Sequence, residues 1–199
     1  MSFDVNELAR MRKDFRGWCE CIEERLPEGF LNWLDQTDFF EAPASTIHHL
    51  DCEGGLLAHS LNVCERLLEL VRVEEALADI SEETAVLVGL FHDLCKTGTY
   101  KKSFKNKKQK DGSWERVPCY TYDTDMPMGH GEKSVYLLLQ HGVKLTDEEA
   151  LAIRWHMGGF DNAVKGGSRD LGAAQKESKL VTALHIADVQ ATFWDEDGM

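Results

Sequence analysis

Apolar positions along the chain recur mostly at the three- and four-residue spacing of helices, not the two-residue spacing of strands. That spacing predicts an amphipathic helix over about residues 5–25, stopped near Leu26-Pro27 because proline disfavours helical geometry in the residue before it. A shorter apolar piece runs from Phe30 to Phe40 and ends before Pro43. Gly54-Gly55 opens a helix in which Leu56, Leu57, Leu61, Cys64, Leu67, Leu68 and Val71 make one apolar stripe. Ser81 is a good N-cap for the next helix, and Glu82 and Glu83 suit its first turn. That helix is apolar nearly all round from Ala85 to Phe91, which makes it central. It delivers His92-Asp93 at its C-terminal end, and Gly98 is placed to terminate it.

Residues 99–123 or so break the helical rhythm. Tyr100, Phe104, Trp114, Val117, Tyr120 and Tyr122 flank the turn signal Asp111-Gly112, so a β-hairpin inserted between helices is expected. Helical pattern resumes over Glu132 to Gln140. Thr146 to Glu149 is a capping box for the helix that leads to His156, and Gly158-Gly159 ends that helix. A Gly-rich loop with Gly166-Gly167 precedes a last helix, Gln175 to Phe193. The fold class is therefore all-α with one small hairpin. A single domain of 199 residues is expected, with residues 1–42 as an N-terminal helical extension and 43–192 as the core.

Composition changes this picture little. The chain is 43% apolar and 29% charged, an ordinary globular mixture. Its start lacks the basic-then-apolar layout of a signal peptide, and no apolar run approaches the ~18 residues of a membrane span. A cytoplasmic protein without membrane contact is expected. Six cysteines show no C-x2-C pair, and reduced thiols are the default for that compartment. Charge changes the picture more. The net charge is −13, yet Lys101 to Arg116 holds seven basic residues against Asp111 and Glu115, a local +5 that leaves −18 for the rest. An overall acidic chain argues against nucleic-acid binding through the whole surface.

The candidate chemistry lies in His59, His92, Asp93, His130, His156 and Asp188. Each sits at a helix end or on a largely apolar helix, where a carboxylate is costly unless paired or bound to metal. Any one of them alone reads as an ordinary core or surface residue. Together, four imidazoles and two carboxylates are what a dinuclear transition-metal centre requires, because imidazole suits Fe, Mn, Zn, Co or Ni. His185, His141 and the tryptophans 18, 33, 155 and 194 read as structural or packing residues.

Three stretches carry a resemblance: APASTIHHLDCEGGLLAHSLNV, FHDLCKTG and LVTALHIADVQAT. They are similar to the HD superfamily of metal-dependent phosphohydrolases, named for the His-Asp pair. The phrasing is nearest the HD domains of 3′→5′ exoribonucleases and those associated with relaxases. The resemblance implies a helical domain of five or more core helices with one or two divalent metals, of Fe, Mn, Ni, Co or Zn. It would place His59, His92, Asp93 and Asp188 on a first metal, with Asp93 bridging to a second held by His130 and His156. Lys96 matches a lysine that contacts substrate phosphate, so Asp93 and Lys96 are the expected catalytic pair. His49 and Lys105 are further expected substrate contacts.

The implied activity is phosphohydrolysis of a nucleotide or other small phosphorylated substrate, with a short oligonucleotide also compatible and no obligate protein partner evident. The lysine-rich hairpin, between Lys96 and His130, is expected either to draw such a substrate in or to be merely solvated. The pattern is departed from at Cys95, where many relatives have glycine, and at His156-Met157, where the branch that cleaves cyclic dinucleotides has a His-His pair. No GYP motif is present either. Two alternatives share the same residues: an HD-type mixed-valent di-iron oxygenase, and a nucleotide-binding module without turnover.

Overall fold

Phe91, the last residue of the most apolar helix, is the point around which the chain folds. In the computed structural model, which describes residues 2–46 and 50–196, Phe91 is wholly buried. Phe15 stands edge-on to it at 5.8 Å and Phe30 at 5.3 Å. Phe15 lies on α1 (Val5–Glu20) and Phe30 opens α2 (Phe30–Asp35), so the N-terminal helices cover the end of α4 (Glu82–Phe91). Asp4 and Glu7 form a capping box at the start of α1. The apolar piece that begins at Phe30 stops being helical at Asp35 rather than reaching Phe40. There the Thr37 hydroxyl donates to the Leu34 carbonyl at 2.6 Å, and turns follow.

The long stripe-bearing helix is α3 (Gly55–Val73), which packs against α4 and α1. Gly89 decides how closely α3 and α4 approach. A Cβ on Gly89 would lie 2.6 Å from the Cα of Cys64, so only glycine lets the two backbones touch. Ser81 caps α4 by accepting from the Thr84 N–H at 3.1 Å, as its sequence context predicts.

The hairpin is formed by β1 (Tyr100–Lys108) and β2 (Trp114–Tyr122), antiparallel and in register from Tyr100↔Tyr122 to Lys108↔Trp114. Gly112 takes a left-handed φ of 88° in the loop between them. Beyond it, α5 (His130–Gln140) begins two residues earlier than the sequence pattern indicates, so His130 is its first residue. α6 (Asp147–Trp155) carries the expected Thr146–Glu149 capping box. Gly131 sets the approach of α5 to α6, since a Cβ there would fall 2.2 Å from the Arg154 carbonyl oxygen. Short α7 (Asn162–Lys165) precedes α8 (Asp170–Glu177) and α9 (Lys179–Gln190).

The expected single last helix is in fact two. Ser178 is extended, and its hydroxyl accepts from the Leu180 N–H at 3.2 Å, capping α9 and ending α8. α9 packs on α3 and α6, and its end unwinds into a π-helical turn over Ala191–Asp195. Buried Glu149 ties distant segments together. It accepts two hydrogen bonds from Arg25 at 2.8 and 3.0 Å, one from Thr84 at 3.1 Å and one from the Thr146 N–H at 2.8 Å. All six cysteines are free thiols, as expected, and among the described residues no helix is long and apolar enough to cross a membrane.

Candidate metal centre

Helix ends bring the site together. His59 stands on α3 a turn after Gly55; His92 and Asp93 follow the last residue of α4. His130 opens α5, His156 follows the last residue of α6, and Asp188 lies within α9. Leaving a helix frees a side chain to turn inward, which is why four of these six residues sit at helix ends. His59, His92, Asp93 and His156 are fully buried.

Three of the four imidazoles are fixed through Nδ1. His92 Nδ1 lies 2.9 Å from the Gly89 carbonyl, His156 Nδ1 2.6 Å from the Ile153 carbonyl, and His59 Nδ1 3.0 Å from the Glu196 carboxylate. These oxygens only accept, so each Nδ1 carries the hydrogen and each Nε2 turns inward. Asn62, one turn along α3, donates to the same Glu196 at 3.0 Å.

Asp93 occupies the middle. Its Oδ1 is 2.6 Å from His130 Nε2 and 3.4 Å from His156 Nε2. Its Oδ2 is 3.5 Å from the Nε2 atoms of both His59 and His92 and 2.5 Å from the Lys96 ammonium. One carboxylate oxygen thus faces one histidine pair and the other faces the second pair. Asp188 Oδ1 adds a further oxygen 3.3 Å from His59 Nε2.

Two features of the cluster suit a cation. His92 Nε2 and His59 Nε2 stand 3.3 Å apart, where two lone pairs would repel. His156 Nε2 is buried without a hydrogen bond among the described residues, because its 3.4 Å approach to Asp93 is poorly aligned. In the metal-free protein a proton fills part of that role. Burial alone would lower the His59 pKa, but the charge and hydrogen bond of Glu196 and the hydrogen bond of Asp188 push it up to about 10. Burial drives His92 the other way, to about 3. Burial would raise the Asp93 carboxyl, yet Lys96, His92 and His130 hold it well below the usual range, and the His59 hydrogen bond does the same for Asp188. Lys96 gains more from Asp93 than burial takes, so it stays charged.

His130 is held differently. Its Nδ1 meets the Cys95 thiol at 3.5 Å while its Nε2 meets Asp93, and both contacts raise its pKa well above the ordinary value against the pull of burial. The donors fall into three overlapping sets whose ligand atoms lie within 4.8 Å of one another: His59–His92–Asp188, His92–Asp93–His156 and Asp93–Cys95–His130. Imidazole nitrogen with carboxylate oxygen is the donor chemistry of a divalent transition metal. The side chains of His130, 32% exposed, and Asp188, 17% exposed, mark the open side of the cluster. A cleft of roughly 300 Å3 leads to His130 past Glu132, Met157, Phe160 and Asp161. Arg154 pairs with both acids, at 2.6 and 2.9 Å, and offsets their charge.

A family model for the HD domain matches residues 56–192. The chain belongs to the HD-domain family. HD domains in general are metal-dependent hydrolases, and in this one the match includes all six clustered residues and Lys96 while leaving out α1, α2 and Glu196. No curated protein and no solved structure matches the chain.

Not every expected site residue joins the cluster. Lys105 lies out on β1, on the hairpin face opposite Phe104, and His49 lies outside the described residues. Asp188 pairs with His59. His185, expected to be structural, gives Nδ1 to the His156 carbonyl at 2.6 Å. Trp194 is not a packing residue of the interior; it is 67% exposed, with Arg66 over its ring at 5.8 Å. Sequence reasoning missed Glu196 and Asn62. Asn62, at i+3 from His59, gave a detectable signal; Glu196, in a run of acids, gave none.

Proposed function

We propose that the chain is a phosphohydrolase acting on a nucleotide or other small phosphorylated substrate. The observation that carries this reading is the division of Asp93: one oxygen toward His59 and His92, the other toward His130 and His156, with the Lys96 ammonium at its side. His59, His92, Asp93 and Asp188 would hold a first divalent metal, and Asp93, His130 and His156 a second. Such ions supply Lewis acidity, which acidifies water and offsets charge on phosphoryl oxygens.

The chain's own residues do the rest. Asp93, fixed by Lys96 and four imidazoles, sets the spacing of the two halves. Lys96 cannot lose its charge in that setting and neutralises negative charge gathering on the phosphoryl oxygens. Water attacks phosphorus, a new P–O bond forms as the ester P–O bond breaks, and the leaving oxygen takes a proton. His130, the most exposed of the four imidazoles, would be a ligand through Nε2 and so has no proton to give; the attacking water loses its proton to, and the leaving oxygen takes one from, water in the cleft beside it. The tightly held rings keep the geometry without reorganisation at the moment of reaction.

The test is a panel of nucleotides and simple phosphoesters assayed without oxygen in the presence of Mn, Ni, Co or Fe(II). Phosphate or nucleoside release supports the reading. Oxygen consumption by an Fe(II)/Fe(III) form, with no phosphoester turned over, would replace it by the di-iron oxygenase.

A further inference from the structure

The hairpin, idle in the chemistry above, has two unlike faces. Register places Tyr100, Lys102, Phe104, Asn106 and Lys108 of β1 on one face with Trp114, Arg116, Pro118, Tyr120 and Tyr122 of β2. Lys105 and Lys107 point to the other, opposite Val117 and Glu115. On the first face aromatic rings are left in water: Phe104 is 58% exposed, Tyr122 65% and Trp114 68%. Arg116 stacks on Phe104 with its guanidinium 4.4 Å from the ring centre, and Lys108 stands opposite Trp114. Lysines alone would suffice to protect an exposed ribbon from pairing with other chains. Three large exposed rings interleaved with cations do not serve that end; they leave an apolar, sticky surface uncovered.

The face also has a direction. At its base Tyr100 and Tyr122 meet edge to face at 6.4 Å. Tyr100 is half-buried beside Lys96, whose charge pulls down a phenol that burial pushes up. The aromatic row therefore starts at the candidate metal centre and runs outward along nine residues of strand. At about 3.4 Å per residue its length is about 27 Å, the span of about eight nucleotides at the 3.4 Å spacing of a stacked strand. Lys101 and Lys102 are engaged near the base, by Asp123 at 2.5 Å and Glu53 at 2.9 Å. Among the described residues, no carboxylate forms an ion pair with Lys105, Lys107, Lys108, Lys110 or Arg116, the cations farther out.

The geometry points to this face as a binding arm for a single-stranded oligonucleotide. Its bases stack on Phe104, Trp114 and Tyr122, its phosphates meet Arg116 and Lys108, and its end is led past Tyr100 to Lys96. Stacking with cations between the rings suits any base sequence and either sugar. Charge complementarity confines the strand to the arm, because the hairpin segment carries +5 while the remainder of the chain carries −18 and repels a polyanion. The inference deepens the phosphohydrolase reading and rests on it only for where the strand ends.

Binding is measured apart from turnover. The probe is a fluorescein-labelled oligodeoxyuridylate of about twelve nucleotides, longer than the arm, titrated on ice at low salt with the protein as purified. Fluorescence anisotropy is read, and the oligonucleotide is recovered intact on a denaturing gel. The expected result is saturable binding that weakens with salt. Affinity should fall about tenfold in Phe104→Ala and in Trp114→Ala, and less than about threefold in Lys105→Ala on the far face. The ribonucleotide version should bind within about threefold, since the 2′-hydroxyl has no assigned contact. All three side chains are exposed, and unchanged thermal melts certify the folds.

Three results overturn the arm: no binding at low salt, ring variants that bind like wild type, or anionic phospholipid vesicles captured where the oligonucleotide is not. None of these touches the phosphohydrolase reading, which stands or falls on turnover of mononucleotides and simple phosphoesters.

Discussion

Glu196 holds His59 through Nδ1 at 3.0 Å, which leaves Nε2 of the same ring 3.3 Å from Asp188 and 3.5 Å from Asp93. A carboxylate behind an imidazole fixes its tautomer and orientation and makes it a better metal donor. Glu196 itself is buried, steadied by Asn62, while the neighbouring Asp195 is gripped by Arg66.

Glu196→Ala should therefore weaken the first metal by about 10- to 100-fold, with Glu196→Gln losing less because an acceptor remains. Competition with a chelator of known affinity measures this on the folded protein. Equal metal affinity in wild type and Glu196→Ala would show that the contact is only structural.

Protons must leave when metal arrives. His59, with a pKa of about 10, and His130, also raised, carry protons at neutral pH in the metal-free protein. Binding at pH 7.5 should release about two protons per fully loaded chain, read by calorimetry in buffers of different ionisation heat. The metal-free protein should behave oppositely. The raised His59 pKa contributes stability that is complete below about 6.5 and is lost as pH rises toward 10. The lowered Asp93 and Asp188 contribute stability present above about 3.9 and lost as pH falls below it. The Tm gain on adding metal should thus grow between pH 6 and pH 9, by about 1.4 kcal/mol of binding energy per pH unit for each proton displaced.

Lys96 sits against Asp93 in a buried pair. Lys96→Met should lower kcat/KM on phosphoesters by about 100-fold, the scale of losing one electrostatic contact to the transition state. Metal content should be retained, because a bound cation supplies Asp93 with positive charge. Without metal the same variant should lose about 3–5 kcal/mol of stability, having left a buried carboxylate without its lysine. Denaturant melts with and without metal separate the two effects.

Gly89→Ala tests the packing that brings the histidines together. The added methyl meets the Cys64 backbone at 2.6 Å, so α3 and α4 must part. A loss of about 1–3 kcal/mol is expected from such overpacking. Metal affinity should fall with it, since His59 and His92 ride on the separating helices.

Much of this was legible in the sequence, for physical reasons. Ser81 and the Thr146–Glu149 box announce helix starts through local chemistry, and apolar spacing marks α3 and α4 as interior. The order of histidines and aspartates carried the family, and four of the six ligand candidates fall at helix boundaries that can be read. Glu196 was not legible: its burial depends on the π-helical turn at the end of α9 and on partners more than about 130 residues away, His59 and Asn62. The break at Ser178 was hidden because serine is tolerated within helices as well as at their caps. The sequence showed that the hairpin is basic, but only the strand register separates Lys105 from the face that carries Phe104 and Trp114.

The central claim is that Asp93 joins two half-sites. Elemental analysis of the purified, metal-saturated protein tests it most directly. Wild type should hold about two divalent ions per chain, His130→Ala about one, and Asp93→Ala fewer than one, each with an unchanged helical spectrum. A single ion in both wild type and His130→Ala would contradict the account.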